Sequence, residues 1–498
     1  MKMANNVNII LGPSGLGRPL PGEDHISGLI YYTAHLPSGF DNYGDVHEIF
    51  SVEEAETLGI DDNHSGETRA IGTTTITATG STGAVFTIGV ATNSGTVNIG
   101  SYTVVSTDSK NTIASSLVAD INTNTSVHGY TATASTATIS VTAPGGTGLN
   151  GNSFTFDNTV TGSGTTSATT FAGGVASWND PIHYHISEYF RMNPKGDLFV
   201  MIQSATTTFS EIVDLQNAAD GKVRQVGVYT QSGFATADVS KIQTQLDTCF
   251  NNYKPLEAIY QADFSTVTDL TTLSDLHQLT AKNVSVLLGQ DGANKGEELW
   301  LAVQKSIGTV GAALGTISAS KVSESIAWVG KFDVSDVELE TLAFANGAFY
   351  SSLSDGLKNA IENKGYIFLK KYVGYPGSYF NNPYTCVASS SDYSRINLNR
   401  TINKAGREVR TFLLPAIASP VFFLADGTLT TDVCSYFETQ AARALDQMVR
   451  DGELSAFKTL VNPTQNVLST NKLVINVSLV PVGTADVIDV NVGFVLSV

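Results

Sequence analysis

His183, His185 and Glu188 are the first residues to test for chemistry. On a strand, an H-x-H pair points both rings to one side, and Glu188 is near enough to supply a third metal ligand. The stronger expectation is plainer: HYHISEYF reads as polar residues leading into a helix. Asp61, Asp62 and His64 form a small acidic cluster but lack the glycine and terminal glutamate of a calcium loop, so a solvated turn is expected. GPSGLG at residues 12–17 has its glycines in the wrong order for a dinucleotide fingerprint, and no long strand precedes it. GQDGANKGEE at 289–298 follows the apolar run KNVSVLL, where a phosphate loop could sit. It lacks the Gly-Lys-Ser/Thr ending that places a lysine and a magnesium-binding hydroxyl. Neither G-x-S-x-G nor H-E-x-x-H occurs. Cys249, Cys386 and Cys434 are odd in number and far apart, which gives no disulfide framework and no zinc spacing, and suits a reducing compartment. No catalytic residue, cofactor or metal is expected. The chain reads as a structural protein.

The elements that would have to position such groups are nonetheless clear. From residue 180 to about 390, strand and helix alternate: DLFVMI, a helix with Ile212, Leu215 and Ala219 inward, RQVGVYT, a helix at 238–250 with Ile242, Leu246 and Cys249 inward, LEAIYQA, a helical stretch at 273–280, and KNVSVLLGQ. That order implies a largely parallel sheet with helical crossovers, whose carboxyl ends are the usual place for function. Residues 297–329, rich in Gly and Ala, read as one long helical region able to pack closely against another element or subunit. Charge adds a constraint. With 28 Lys+Arg against 46 Asp+Glu among 498 residues the net charge is −18, which argues against a duplex-binding face. No run of 18 apolar residues occurs and the first twenty residues hold no signal-peptide core, so a soluble protein made in a cytoplasm is expected.

Composition shifts sharply in the first third of the chain. Residues 70–177 contain four charged side chains, Asp108, Lys110, Asp120 and Asp157, among Thr, Ser, Gly, Ala and Val. Short β-branched runs punctuated by Gly and Asn read as strands and turns, with one helix at 110–122 carrying Ile113, Leu117 and Ile121 on one face. This is an inserted β-rich domain. Farther on, residues 431–450 place Val433, Phe437, Ala441, Ala444, Leu445 and Met448 on one helical stripe and Arg443, Gln447 and Arg450 on another. Both ends of the chain alternate with period two. Val7, Ile9 and Leu11 form a short strand behind a Pro/Gly-rich tether, and Ile488, Val490, Val492 and Phe494 form a final strand after the break PVGTA. Strands tethered in this way suit pairing with the sheet edge of a neighbouring copy.

The succession GLKNAIENKGYIFLKKYVGYPG, SSDYSRINLNRTINKAGREVRTFLLPAI, the helix at 431–450, GELSAFKTLV and KLVINVSLVPVGTADVIDVNVGFVL resembles contractile phage tail sheath proteins, of the Mu-like/myovirus kind and related to contractile injection system sheaths. Pro481, Ala485, Ile488, Val490 and Val492 follow a similar closing pattern, sheath proteins carry an arginine near the position of Arg400, and STDSKNTIASSLVADINTN is similar to a helix segment in sheath decorations. KKYVGYPG departs from the family's tryptophan-glycine stretch. The resemblance implies an α+β and α/β multidomain chain. It divides into an N-terminal arm (1–26), an α/β sheath body (27–66 and 178–390), an inserted peripheral domain (67–177), a C-terminal α+β sheath domain (391–484) and a C-terminal arm strand (485–498). It further implies a structural subunit that polymerises with itself into hexameric, helical layers around an inner tail tube protein and contracts to drive that tube through a cell envelope. Baseplate and tail terminator proteins are the other implied partners, with neither nucleic acid nor membrane insertion. The implied location is the virion tail, after assembly in the host cytoplasm. Arg443, Gln447 and Arg450 would then face the tube. The rival expectations are an enzyme using the parallel sheet with the insert as an accessory domain, and a secreted β-rich adhesin.

Overall fold

Runs such as SGLIYY, LFVMIQ and EAIYQAD lack a polar face because helices cover them on both sides. The computed structural model describes residues 23–205, 207–490, 492 and 494. The chain lays down β1 (Ser27–Tyr32), β2 (Val46–Ile49), α1 (Asn179–Met192), β3 (Leu198–Gln203), α2 (Glu211–Ala218), β4 (Gln225–Gly233), α3 (Thr236–Asn251), β5 (Glu257–Asp263) and β6 (Val284–Val286). These strands form one sheet in the order β6-β5-β4-β1-β3-β2, parallel throughout except for the antiparallel edge strand β2. Alternation sorts the buried side chains by face. Ile30, Met201 and Val228 pack on Ile212, Ile242 and Leu246 of α2 and α3. Leu29, Tyr31 and Val200 pack on Ile186 of α1 and on Val310 and Leu314.

Those last two residues belong to a region that departs from expectation. Residues 297–329 are not one helix. They hold the end of α4 (Asn294–Val303), then α5 (Val310–Ala319), then irregular chain. Gln304 (φ 56°) and Gly308 (φ 72°) take left-handed conformations that end one helix and reset the other. The small residues pack within the subunit. A Cβ on Gly311 would lie 2.0 Å from the His185 carbonyl oxygen, and one on Gly315 would lie 2.5 Å from that of Tyr189, so α5 lies directly on the α1 backbone. The stretch at 273–280 is likewise no α-helix: Asp269 and Asp275 cap two single 3-10 turns, Leu270–Thr272 and Leu276–Gln278. KNVSVLLGQ divides between β6 and a separate strand, Gly289–Asp291, which pairs with Leu342–Phe344.

Residues 70–171 close around a core of their own, in which Phe86, Ile88, Val90, Ile139 and Val141 meet Ile113, Leu117 and Ile121 of the Lys110–Thr123 helix. Two four-stranded sheets build it. Its two ends leave side by side, since Thr68 bridges Val175 and Ile71 bridges Ala172. It touches the rest of the chain where the turn Gly148–Ser153 meets α4, with a Cβ on Gly148 reaching 2.6 Å from the Ala302 carbonyl oxygen. Replacing residues 70–173 by a four-residue Gly/Ser linker is therefore expected to leave a folded protein, less stable by roughly 1–3 kcal/mol from lost apolar cover on α4. Circular dichroism melts check this, and total loss of soluble protein would count against an independently packed unit.

The last third contains α6 (Ile396–Leu413), α7 (Thr431–Arg450), and the antiparallel strands β7 (Leu454–Val461) and β8 (Ile475–Pro481). Thr430 caps α7 by accepting from the Val433 N–H. Residues 486–490, the described start of the predicted final strand, carry neither strand nor helix, and the same holds for the break at 482–485 before them. Val487, Ile488 and Val490 lie in solvent, and among the described residues no strand pairs with them. The predicted strand at Val7, Ile9 and Leu11 lies outside the described residues.

Candidate functional site: the roots of the two terminal segments

The groups that could carry chemistry are either paired with other residues or sealed in the interior. His183 and His185 lie on α1 rather than a strand, so two positions of helix turn their rings apart. His183 Nε2 pairs with Glu56 at 3.2 Å, and Glu188 forms a two-pronged bond with Arg191. His185 is fully buried beside Tyr229, and burial pushes its pKa down to about 3, which keeps it neutral. His64 Nδ1 lies 2.6 Å from Asp180 Oδ2, and Asp61 accepts from Asn63 N and Ser65 Oγ, a closed turn. Among the described residues no three His, Cys, Asp or Glu could together hold a metal ion. Asp291, in the glycine-rich stretch, is buried. Its pKa rises to about 8 through desolvation and the neighbouring Glu338, and its Oδ1 accepts the Leu339 N–H. Burial also pushes the Cys386 thiol far up, which makes it unreactive.

The crevice at the carboxyl ends of the sheet is plugged. The loop between α4 and α5 fills it: Ser306 N donates to Asp263 Oδ1 at 3.0 Å, Lys305 Nζ to Asp263 Oδ2 at 2.8 Å, and Ile307 N to Gln290 Oε1 at 2.9 Å. Tyr229 donates its hydroxyl to the Ser306 carbonyl at 2.5 Å. An α/β enzyme would keep this crevice for its substrate.

Two polar clusters lie instead at the ends of the described chain, around Glu23–His25 and around residues 484–486. At the N-terminal root, Glu23, Asp24 and His25 form a 3-10 turn against α6. Arg400, Lys404 and Arg407 project from one face of α6 at i, i+4 and i+7. Lys404 Nζ reaches Asp24 Oδ2 at 2.7 Å, Arg407 reaches Asp24 Oδ1 at 2.8 Å, and Arg400 donates to the Asp24 carbonyl at 3.1 Å. Lys404 also pairs with Glu453 at 2.8 Å, and Glu23 pairs with Arg224 at the start of β4. Glu257 of β5 accepts from Asn283 at 2.8 Å and from Asn403 at 2.7 Å. Burial alone would raise the Asp24 pKa, but Lys404 and Arg407 outweigh it and hold the carboxyl below its ordinary value. Glu257 has no such counter-charge in contact, and full burial raises it well above the usual range. The network thus ties the N-terminal turn, the parallel sheet and α6 into one block.

The C-terminal root is lighter. Arg395, the N-cap residue of α6, forks onto Asp486, with Nη1 2.9 Å from Oδ1, Nη2 on Oδ2, and Nη1 also donating to Thr484 Oγ1 at 2.9 Å. Hydrogen bonding from Arg395 depresses the Asp486 pKa. Beside it, β7 and β8 make a sheet of only two strands, with no further strand on either outer edge among the described residues. One face packs on α6 and α7 through Leu445, Met448, Leu454 and Phe457; Leu460, Val474 and Val480 face outward. Val487, Ile488, Val490, Val492 and Phe494 are all exposed, and Ile488 keeps 78% of its surface in solvent. Arg443, Gln447 and Arg450 lie exposed on α7, opposite its buried stripe, and Gln447 bonds to Asp451 at 2.9 Å. Sequence reasoning missed Asp24, Lys404, Arg407, Arg395 and Asp486. The one signal available was the basic i, i+4, i+7 stripe of α6 in an otherwise acidic chain.

The family profile described as "DUF2586, N-terminal domain" matches residues 4–383, and that described as "DUF2586, C-terminal domain" matches residues 392–498. The chain belongs to the DUF2586 family. No curated protein matches it. Among solved structures, it is similar to a sheath tail protein from Listeria innocua at 12% identity, over 93% of each chain, with a TM-score of 0.43. A sheath complex of an extracellular contractile injection system in the contracted state aligns at 14% identity, over 64% of this chain and 81% of the other, with a TM-score of 0.44. A chain of the anti-feeding prophage baseplate aligns at 13% identity, over 63% of this chain and 80% of the other, with a TM-score of 0.43. At this similarity the functional reading of the DUF2586 protein has to stand on its own geometry. The junction between the two DUF2586 regions falls just before Arg395 and α6, so the root network spans both.

Proposed function

We propose that this DUF2586 protein is a structural subunit of a contractile tail sheath, polymerising helically around an inner tube and contracting to drive it through a cell envelope. One observation carries the reading: a two-stranded sheet with both edges open among the described residues, next to a terminal segment whose apolar side chains lie in water. The helices cover one face of this sheet but not its edges, whose unpaired backbone groups can take strands from neighbouring copies by hydrogen bonding. The alternation at Val7, Ile9 and Leu11 supplies a second strand of the same kind. Subunits joined by exchanged strands can change their packing without coming apart, which is what contraction demands. Hexameric layers, an inner tube protein, baseplate and terminator partners, and a place in a phage virion or an injection system belong to this same proposal. The plugged crevice counts against the enzyme alternative.

Negative-stain microscopy of the purified protein tests it. Long tubes or cogwheel rings are expected; uniform monomers whose melting shifts with a small ligand would favour an enzyme. Within this reading, Arg443, Gln447 and Arg450 face the tube through weak, salt-screened pairing that contraction can release. Reversing Arg443 and Arg450 to Glu is expected to impair co-assembly with the tube at low salt and to change the melting temperature little, both side chains being exposed. Normal tube-containing particles from that double variant would move the contact elsewhere.

A further inference from the structure

The two roots are mechanically unequal. The N-terminal turn sits in a buried network drawn from β4, α6 and the turn after α7, with Tyr189 and Ser318 also donating to the His25 carbonyl. Among the described residues the C-terminal segment is held by one side-chain fork, Arg395 to Asp486 and Thr484, in which Arg395 and Asp486 keep 20% and 33% of their side-chain surface exposed. Residues 482–486 and Ile488 line one wall of a groove of about 640 Å³, whose other wall includes Lys321, Trp328, Lys370 and Tyr372. The apolar side chains Val487, Ile488 and Val490 remain mostly in water, so the segment is pinned by polar contacts at its root and not by burial. Gly483 lies between the end of β8 and the fork, and as a glycine it leaves the backbone there a wide choice of conformations. Arg395 also occupies the N-cap position of α6 without a side-chain cap bond, at a helix end that favours a carboxylate.

We infer that residues 482–490 form a strap, latched to the subunit's own body by Arg395 and Asp486, and that release of this latch frees the C-terminal segment to pair with a second copy. The second half rests on the sheath reading; the first does not. Free subunits keep the strand-forming segment parked, which restrains premature polymerisation, while the N-terminal root stays fixed and carries load. A part-exposed bidentate pair is strong enough to bias the segment, and weak enough to yield when a neighbour's sheet edge offers backbone hydrogen bonds.

The test uses the full chain with Arg395→Gln, Asp486→Asn and the charge swap R395D/D486R. Thermolysin cleavage before Val487 or Ile488 in the unassembled protein reads the latch. Each single variant is expected to be cleaved about 5-fold faster, the swap at close to the intact rate, and the intact protein faster as salt rises to about 1 M. Light scattering reads assembly, with shorter lags expected for the single variants than for the intact protein and the swap. Cleavage of the single variants at the intact rate overturns the latch. Faster cleavage with slower assembly overturns its restraining role and places the pair in the assembled joint. If the intact protein never assembles, the sheath reading fails and the cleavage rates alone decide the strap.

Discussion

Arg400→Met is expected to cost about 3–5 kcal/mol of stability, the largest loss from any single change at the N-terminal root. Arg400 keeps 4% of its surface exposed, and its guanidinium donates to Ser320 Oγ at 2.7 Å as well as to the Asp24, Ser320 and Lys321 carbonyls. Methionine fills much of the volume but leaves those acceptors unpaired and removes a positive charge felt by Asp24, Glu257 and Glu453. Lysine would keep the charge and lose the fork, so an intermediate loss is expected. Urea melts with an unchanged slope and a lowered midpoint would confirm a stability effect; a loss under about 1 kcal/mol would mean that the site relaxes around the change. The same network sets an acid limit. Asp24 is depressed below its ordinary 3.8, so its stabilisation is present above that value and is lost as pH falls through the lower, folded-state pKa. Glu257 acts oppositely: its raised pKa makes the folded state hold a proton that the unfolded chain releases, so its contribution weakens as pH rises from about 4.5. Asp24→Asn is therefore expected to flatten the acid limb below pH 4 and leave the other trend in place.

Why was the network invisible in the sequence when so many helices were plain? The helix Thr431–Arg450 has water on one side and core on the other, so its apolar residues recur at i, i+3 and i+4, and its limits can be read directly. The Lys110–Thr123 helix is legible for the same reason. Helix α5 is buried all round from Val310 to Ser318, leaving no period to find, and the break before it depends on backbone angles at Gln304 and Gly308 that composition does not announce. The His183/His185 pair shows the converse. Its chemistry was a matter of residue type, but the helix and its neighbours decided that one ring pairs with Glu56 and the other is sealed off. The root network is harder still, since Arg407 and Asp24 lie 383 positions apart and meet only because the sheet and α6 bring them together. At the C-terminus the period-two pattern speaks of pairing potential, while a strand exists only where an edge receives it. Among the described residues of one copy, residues 486–490 pair with none.

Deleting residues 1–20 is expected to leave a folded protein that forms no tubes. The cut spares Glu23 and Asp24, so the turn on α6, its ion pairs and the sheet beneath them remain, and the melting midpoint should shift by no more than a surface change would cause, about 0.5 kcal/mol. What is lost is the alternating segment at Val7, Ile9 and Leu11. Cross-strand pairs contribute roughly 0.2–1 kcal/mol each, so five paired residues supply about 3 kcal/mol per joint. That corresponds to roughly two decades in the concentration needed for assembly. A longer deletion, of residues 1–26, separates the two roles of this end. It removes Asp24 as well, strands Lys404 and Arg407 without their shared carboxylate, and is expected to lower stability by several times the cost of the shorter cut. Sedimentation and microscopy read assembly, and denaturant melts read folding. Tubes at normal yield from the shorter deletion would remove the N-terminal segment from the joint. Equal stability of the two deletions would remove Asp24 from its place as the anchor.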